Sequence, residues 1–361
     1  MSEIALKLTA YFPERERTGS RFLAESMFDL FSERRVATSV MLRGISGFGH
    51  QHILRSDQSL SLSEDPSVAI AAVDDAATIG ALAGDVVTMT SSGLITLERA
   101  RLLDGDVTAP PLPEGSLAGD AVKLTVYIGR NRRVNSVPAY RAICELLHRH
   151  QFAGVSVFVG VDGTSHGVRR RAHFIGLNVD VPMMIIAIGS AAQVEACSAE
   201  LARLLHQPLA TTERVRLCKR DGQRLATPPD LPEVDDHGRQ LWQKLMVFTS
   251  EADRPDGTPI HRALVRALWE SNAAAGATVL RGVWGYHGDH KPHGDRLFQL
   301  GRRVPVMTVI VGSPASMAGT FRVVDELTAE HGLVTCEMVP ALLAVHDGRQ
   351  RGNTELADFR F

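Results

Sequence analysis

The chain has 361 residues, with 39 Lys and Arg against 41 Asp and Glu and a formal net charge of -2 at pH 7. At roughly 100–200 residues per domain, this length predicts two or three domains. The near-neutral charge excludes bulk attraction to nucleic acid or to an anionic membrane, so any anion site must be local.

The composition also bears on location and redox state. The chain contains no run of 18 apolar residues, and its start lacks the basic flank and apolar core of a signal peptide. We therefore expect a cytoplasmic protein that is not itself membrane-inserted. The cysteines have no CxxC spacing, so we expect four buried thiols: Cys144, Cys197, Cys218 and Cys336.

The sequence repeats three times. Each copy opens with a lysine that begins an apolar segment, and three landmarks follow it at nearly constant spacing. The lysines are Lys7, Lys123 and Lys244, the glycines Gly44, Gly160 and Gly282, the prolines Pro66, Pro182 and Pro305, and the threonines Thr96, Thr211 and Thr335. The spacing predicts three copies of one unit.

The boundaries follow from composition. Repeat one covers 4–104, repeat two 121–220 and repeat three 241–345. The segments between them, 105–120 and 221–240, are rich in Pro, Gly and acidic residues and are predicted to be linkers, and 346–361 is predicted to be a flexible tail.

Each repeat reads in chain order as strand, helix, strand, long loop, strand, helix, strand. Thr258 followed by Pro259 marks the start of a first helix, and Ser313 followed by Pro314 the start of a second. This βαββαβ order is typical of the ferredoxin-like arrangement, so the predicted fold class is α+β with three tandem ferredoxin-like units.

The third strand of each repeat is almost continuously apolar. These strands are 68–73, 183–188 and 306–311. Helices cover only one face of such a sheet, so the other face needs a partner. We expect the three sheets to face each other in a single-chain pseudo-trimer, which would be monomeric in solution. The alternative is three beads on a string, each using its open face in an intermolecular contact.

The long loops carry the candidate binding residues. The loop of copy one begins with Arg43, Gly44, Gly47 and Gly49, and that of copy three with Arg281, Gly282, Gly285 and Gly288. The loop of copy two is weaker, with Gly160, Gly163 and Gly167 and with Val159 in place of the arginine. Clustered glycines let backbone N–H groups approach a phosphate. The alternative is a twisted hairpin base that needs glycine for its backbone.

Basic and imidazole side chains are concentrated in the same loops. They are His50, His52 and Arg55 in copy one, His166, Arg169, Arg170, Arg171 and His173 in copy two, and His287, His290, Lys291, His293 and Arg296 in copy three. They favour a phosphate or carboxylate ligand, or else form a solvated charged loop. His287, His290 and His293 are also candidate ligands of a divalent metal, although their spacing matches no closed zinc pattern.

No catalytic motif stands in the context that it needs. The chain has no HExxH or GxxxxGK[ST] pattern and no GxSxG elbow, because its GxSxG match at 163–167 lies in the long loop of copy two rather than between a strand and a helix, and its paired carboxylates suit solvated turns. We therefore expect a protein that is not an enzyme and requires no cofactor.

Each repeat resembles the bacterial and archaeal family catalogued as domain of unknown function 190, which is similar to the PII signal-transduction proteins. The stretches that carry the resemblance are 42–49, 60–66 and 93–98 in copy one, and 250–253, 257–260, 280–286, 304–306 and 332–335 in copy three. Copy two keeps the spacing but loses most of the loop signature.

The resemblance implies a ferredoxin-like fold, trimeric assembly and regulation rather than chemistry. In PII-like proteins small effectors, often adenine nucleotides, bind between subunits near the base of the long loop and the turn before the last strand. The loop contacts a partner, commonly a membrane transporter or an enzyme. The residues carried over are Arg43, Gly44, Gly47, Gly49, Arg55, Gly93, Arg281, Gly282, Gly285, Gly288, His293 and Gly332.

The sequence therefore predicts a regulatory sensor that binds a small anionic effector, with an adenine nucleotide as the leading candidate, in inter-repeat clefts. Because copy two has a degraded loop, fewer than three sites should function. A metal-responsive module using loop three and a ligand-free scaffold are the alternatives.

Overall fold

Each repeat builds two helices on one side of a set of strands. The computed structural model describes residues 4–49, 52–56, 65–103, 119–165, 167–171, 181–205, 209–287, 293–294, 304–346 and 349–359. Repeat one contains β1 (Ile4–Pro13), β2 (Arg17–Thr18), β3 (Arg21–Phe22), α1 (Leu23–Glu33), β4 (Thr38–Phe48), β5 (Arg55–Ser56), β6 (Ser67–Asp75), α2 (Ala76–Met89) and β7 (Gly93–Leu103).

The other two repeats follow the same order. Repeat two contains β8 (Asp120–Gly129), β9 (Arg133–Val134), β10 (Val137–Pro138), α3 (Ala139–Arg149), β11 (Gly154–Val159), β12 (Asp162–Ser165), β13 (Val168–Arg169), β14 (Pro182–Gly189), α4 (Ala191–Leu205), β15 (Leu209–Arg220) and β16 (Gln223–Arg224). Repeat three contains β17 (Trp242–Ser250), α5 (Ile260–Ser271), β18 (Ala277–Arg281), β19 (Trp284–His287), β20 (His293–Gly294), β21 (Pro305–Gly312), α6 (Pro314–Leu327), β22 (Leu333–Val339), β23 (Ala341–His346) and β24 (Arg349–Asn353), with a 3-10 turn at Pro255–Gly257.

Local sequence signals explain where the second helices begin. The Asp75 side chain accepts a hydrogen bond from the Thr78 N–H at 2.9 Å before α2, and Ser313 caps α6 with Pro314 in the first turn. These residues satisfy N–H groups that have no partner inside the helix. The predicted start of the second helix near Ser313 is confirmed.

Within a repeat, the first strand lies between the third and the last. In repeat one, β1 pairs antiparallel with β6 and with β7, and β4 pairs with the far side of β6. Repeat two has the same pairings of β8 with β14 and β15, and of β11 with β14. In repeat three β17 pairs with β21 and with β22, and β18 pairs with β21.

The strand edges of each repeat are bonded to the other two. The second strands and loop bases are joined by β12 with β4, β18 with β4, and β19 with β11. The last strands are joined by β15 with β7, β15 with β22, and β23 with β7. Among the described residues, twenty strands therefore form one sheet.

The fold class predicted from the sequence, three tandem ferredoxin-like units in a pseudo-trimer, is wrong. Separate ferredoxin-like units would each have their own sheet, whereas here backbone hydrogen bonds between strands continue from one repeat into the next. The physical reason is that each edge strand has unpaired N–H and C=O groups, and the strand of a neighbouring repeat satisfies them. In the part of the chain that the structure describes, the three copies form one mainly antiparallel sheet with six α-helices against it.

Four large clusters of buried side chains form the core. Three of them lie under the helices, one for each repeat. The fourth gathers residues of all three repeats, including Val40, Ile186 and Val309. The prediction that both faces of the apolar third strands are buried is confirmed. All four cysteines are buried free thiols, also as predicted.

The segment predicted to be a flexible tail is ordered over 349–359. Strand β24 pairs with β23, and Ala357 is fully buried, its carbonyl accepting from the Arg99 guanidinium at 2.6 Å. The Asp358 N–H donates to Asp235 of the second predicted linker. The described part of the C-terminus therefore packs on repeat one and on that linker.

In the part of the chain that is described, no helix combines the length and the apolar character needed to cross a membrane.

Candidate functional site

Six charged side chains meet where the three repeats join. Every repeat contributes one lysine from its first strand and one glutamate from its last, and all six are at least nine-tenths buried: Lys7, Glu98, Lys123, Glu213, Lys244 and Glu337. We call this group the Lys–Glu ring.

Each lysine of the ring contacts two glutamates, one of its own repeat and one of another. The contacts within repeats are Lys7–Glu98 at 2.7 Å, Lys123–Glu213 at 2.9 Å and Lys244–Glu337 at 3.3 Å. Those between repeats are Lys7–Glu213 at 2.6 Å, Lys123–Glu337 at 2.5 Å and Lys244–Glu98 at 2.6 Å. Charges alternate around a closed ring whose net charge is zero.

The ring lowers the pKa of the Glu98 and Glu337 carboxyl groups. Burial by itself would raise the pKa of the Glu98 carboxyl, but the ammonium groups of Lys244 and Lys7 outweigh it and hold that pKa well below its usual range. Loss of one partner would leave a buried charge uncompensated, which costs about 3–5 kcal/mol. The ring therefore couples the three repeats energetically.

Sequence reasoning found the three lysines as landmarks but missed the glutamates. A signal was present, because each glutamate follows a landmark threonine by two residues, as Glu98 follows Thr96. Residues two apart on a strand share a face. Among the described residues, Glu98, Glu213 and Glu337 are also the one group of three or more His, Cys, Asp or Glu side chains close enough to hold a metal, but three lysines already neutralise them.

The loop glycines lie at the contacts between repeats. A Cβ on Gly47 would lie 2.3 Å from the Ala277 carbonyl oxygen, and one on Gly285 would lie 2.1 Å from that of Val155. A Cβ on Gly163 of repeat two would lie 2.2 Å from the Ser39 carbonyl oxygen. These close contacts explain why one position in each loop is a glycine, and the explanation requires no bound ligand. It agrees with the alternative in which the loop base is a twisted hairpin that needs glycine for its backbone.

The glycines that open the loops also sit close to backbone. A Cβ on Gly44 would lie 2.7 Å from the Ser67 carbonyl oxygen, and one on Gly282 would lie 2.9 Å from that of Val157. Gly49, by contrast, has nothing within 4 Å of such a Cβ. Gly93 is the first residue of β7, with φ of 152°, and Gly332 precedes β22, with φ of 109°.

The two predicted loop arginines are ion-paired at equivalent places. Arg43 contacts Glu14 at 2.6 Å and Arg281 contacts Glu251 at 2.8 Å. The Arg43 side chain is 56% exposed and that of Arg281 24%. Arg55 lies on β5 opposite Gly47. The structure thus places Gly44 and Gly47 of loop one opposite β18 of repeat three, with Arg43 next to Gly44 on β4 and Arg55 opposite Gly47 on β5.

Loop two is held to repeat one by ion pairs. Arg169 contacts Asp162 at 2.6 Å and Asp29 of α1 at 2.5 Å, and Arg171 contacts Glu25 of α1 at 3.0 Å. The Asp162 side chain is only 7% exposed. The described part of loop two is therefore fixed on α1 by ion pairs that the sequence did not indicate.

Loops one and three contact their neighbouring helices through aromatic side chains instead. The Trp269 indole N–H of α5 donates to the His52 carbonyl at 2.6 Å. On the other contact, the Arg141 guanidinium of α3 lies 4.5 Å from the centre of the Trp284 ring. The three loop-to-helix contacts thus differ in chemistry.

A small cavity lies between repeats two and three. It measures about 10 Å³, and its lining includes Gly154 and Ser156 of repeat two with Phe248, His287 and Leu333 of repeat three. This is room for about one water molecule. The cavity brings the base of loop three, the residue after Gly332 and the neighbouring repeat together.

The predicted metal ligands are only partly described. His287 Nε2 lies 3.8 Å from Asp253 Oδ2, and His293 pairs through its backbone with Gly285. His290 and Gly288 lie outside the described residues, as do His50, His173, Lys291 and Arg296. The metal site in loop three stays a prediction.

The chain matches known proteins along most of its length. The family model DUF190, described as Uncharacterized ACR, matches three times, at residues 5–102, 121–217 and 242–341. A UPF0166 protein from Aquifex aeolicus (strain VF5) is 31% identical over 99 residues, which make up 27% of this chain and 90% of that protein.

Solved structures give weaker matches. The aspartate kinase from Synechocystis matches with 12% identity and a TM-score of 0.24, over 96% of this chain and 45% of the kinase chain. A putative glycine cleavage system transcriptional repressor matches with 8% identity and a TM-score of 0.18, over 59% of this chain and 98% of that one. The chain spans less than half of the kinase, and at these TM-scores neither match carries an argument.

Proposed function

Since the chain belongs to the DUF190 family and contains three copies of its PII-like domain, we propose that it is a non-enzymatic regulator that binds a small anionic effector between repeats. The leading candidate for the effector is an adenine nucleotide. The long loops report its presence to a partner, for which a membrane transporter or an enzyme is the candidate.

The observation that carries this proposal is the position of the loop bases. Gly47 and Gly285 each sit against the backbone of another repeat, so a loop cannot change its path at these points without changing a contact between repeats. A ligand bound between two repeats would therefore favour one loop arrangement over another. Such a difference in affinity between two states is what a regulator requires.

The clefts that receive loops one and three suit an anion best. Arg43 and Arg281 stand at their bases, where a phosphate would compete with Glu14 and Glu251 for the guanidinium groups. Repeat two has Val159 at the equivalent position. A cavity of about 10 Å³ is far smaller than the roughly 300 Å³ of an ordinary ligand pocket, so a nucleotide would have to widen the cleft.

Calorimetric titration with ATP, ADP, AMP and cyclic nucleotides tests the proposal. We expect binding with fewer than three sites per chain, and a loss of affinity of about tenfold or more for Arg43→Ala with Arg281→Ala. Arg34→Ala is the control, because Arg34 is an exposed arginine paired with Asp85. Neither heat nor a change in melting temperature with any of these nucleotides would overturn the nucleotide part.

The assembly state is tested by sedimentation. Since the strand edges of the three repeats satisfy one another, we propose that the 39.2 kDa chain is a monomer in solution. A defined trimer of whole chains would contradict this.

A further inference from the structure

Repeat two differs from its neighbours in charge. Residues 121–217 contain 12 Lys and Arg against 6 Asp and Glu, a net charge of +6. The equivalent ranges have 10 against 12 in repeat one, a net charge of -2, and 10 against 10 in repeat three, a net charge of 0. One repeat is therefore strongly basic although the net charge of the whole chain is close to zero.

Part of this charge lies on one turn. Residues 130–133, which follow β8, read Arg130, Asn131, Arg132 and Arg133, and all four are exposed. We call them the basic turn. The equivalent turns begin with Glu14 in repeat one and Glu251 in repeat three, so the sign of the charge is reversed at the first position. The basic turn has a net charge of +3, whereas residues 14–17 have a net charge of 0 and residues 251–254 a net charge of -1.

Backbone hydrogen bonds show that these turns are equivalent. The N–H groups of Glu14, Arg130 and Glu251 donate to the carbonyls of Pro66, Val181 and Val304 at 2.9, 3.0 and 3.0 Å. Glu14 and Glu251 use their carboxylates to bind the arginine at the base of their loop. Arg130 faces no such arginine, because repeat two has Val159 there, and its side chain forms no ion pair with any described residue.

The arginines of the basic turn keep most of their donors. Arg132 gives one N–H to the Leu205 carbonyl and Arg133 gives one to that of Ser136, although a guanidinium has five N–H donors. The hairpin of β9 and β10 is closed by Asn135 and Ser136, both with positive φ. Such a two-residue turn is stiff, so the guanidinium groups are held in place before any partner arrives.

We propose that the basic turn of repeat two is a docking surface for an acidic, carboxylate-rich segment of a partner protein. This proposal rests on the proposed function, because a regulator acts by binding a partner protein. Guanidinium groups bind carboxylates in a two-pronged geometry. Three arginines fall short of the roughly four to eight basic residues that hold a protein at an anionic lipid surface. Repeat two is also suited to holding a partner in a constant position, because Arg169 and Arg171 fix the described part of its loop on α1.

The test uses the full chain and a fluorescent ten-residue glutamate-rich peptide, with binding followed by fluorescence anisotropy at about 50 mM salt. We expect binding that Arg130→Glu with Arg133→Glu weakens at least about tenfold. The matched control is Arg254→Glu, because Arg254 occupies the position in repeat three that Arg133 occupies in repeat two. That variant should change the affinity less than about twofold.

Three results would overturn the docking surface: no binding of the peptide to the wild type, an equal loss in the Arg254→Glu control, or tighter binding to phosphatidylserine vesicles or duplex DNA than to the peptide. Melting temperatures check folding, and Arg130→Ala with Arg133→Ala, expected to lose about threefold or more, replaces any glutamate variant that unfolds.

Nucleotide calorimetry on the same variants separates the two proposals. Peptide binding that follows the basic turn without any nucleotide binding supports the docking surface and removes the effector. Nucleotide binding with no peptide binding does the reverse.

Discussion

The Lys7 ammonium of repeat one lies 2.6 Å from Glu213 Oε2 of repeat two. Both side chains are at least nine-tenths buried, so protein groups rather than water neutralise the charge of each, partly across the contact between repeats. The same relation joins repeat two to three and three to one. Folding of one repeat is thus tied to the presence of the other two.

Removing one member of the Lys–Glu ring should destabilise the whole chain. Lys123→Met leaves Glu213 and Glu337 with too few positive partners, so we expect a loss of about 3–5 kcal/mol in the free energy of unfolding. Chemical denaturation measures it. The double variant Lys123→Met with Glu213→Gln restores a balance of two positive and two negative charges and should lose less. A double variant as unstable as the single one would contradict the ring.

Acid should unfold the protein through the same carboxyl groups. The pKa of Glu98 is held well below its usual range and that of Glu337 is also lowered, in both cases because ring lysines outweigh burial. A lowered folded pKa contributes stability that is present above the unfolded pKa of about 4.3 and is lost as pH falls through the folded pKa. We therefore expect a steep fall in melting temperature below about pH 4. In the double variant Glu98→Gln with Lys244→Met this acid dependence should be shallower.

Gly47→Ala should disturb the contact between repeats one and three. Its Cβ would lie 2.3 Å from the Ala277 carbonyl oxygen, so strands β4 and β18 must separate locally. We expect a loss of about 1–3 kcal/mol in unfolding free energy. Gly49→Ala is the control, because nothing lies within 4 Å of its Cβ, and it should be neutral within about 0.5 kcal/mol.

Asp162→Asn should release loop two from α1. The change removes the buried carboxylate that holds Arg169, and we expect a loss of about 1–3 kcal/mol with faster amide hydrogen exchange over residues 162–165. Asp85→Asn breaks only the exposed pair with Arg34 and should cost less than about 1 kcal/mol. Unchanged exchange in loop two would show that the ion pairs do not hold it.

Asp235 should anchor the C-terminus. Its buried carboxylate accepts N–H groups of His237 and Arg239 and, at 2.7 Å, that of Asp358. Asp235→Asn should lower the melting temperature and make residues 349–359 more sensitive to protease. Asp236→Asn, at the exposed neighbouring position, should do neither.

Several features could be predicted because they depend on local patterns. The order of elements follows from apolar periodicity and from caps such as Ser313 with Pro314. The burial of both faces of β14 follows from its continuous apolar run. The candidate loop residues Arg43 and Arg281 were recognisable from their glycines, but the partners Glu14 and Glu251 were not, because paired acids in turns are ordinarily solvated.

By itself the sequence determined that the chain contains three copies of one unit and which family it belongs to. Only the tertiary structure decided that the copies share one sheet and that Lys7, Lys123 and Lys244 meet Glu98, Glu213 and Glu337. Backbone groups at a strand edge leave no mark on the sequence. A lysine and a glutamate more than 200 residues apart, such as Lys7 and Glu213, reveal their pairing only when the fold removes both from water.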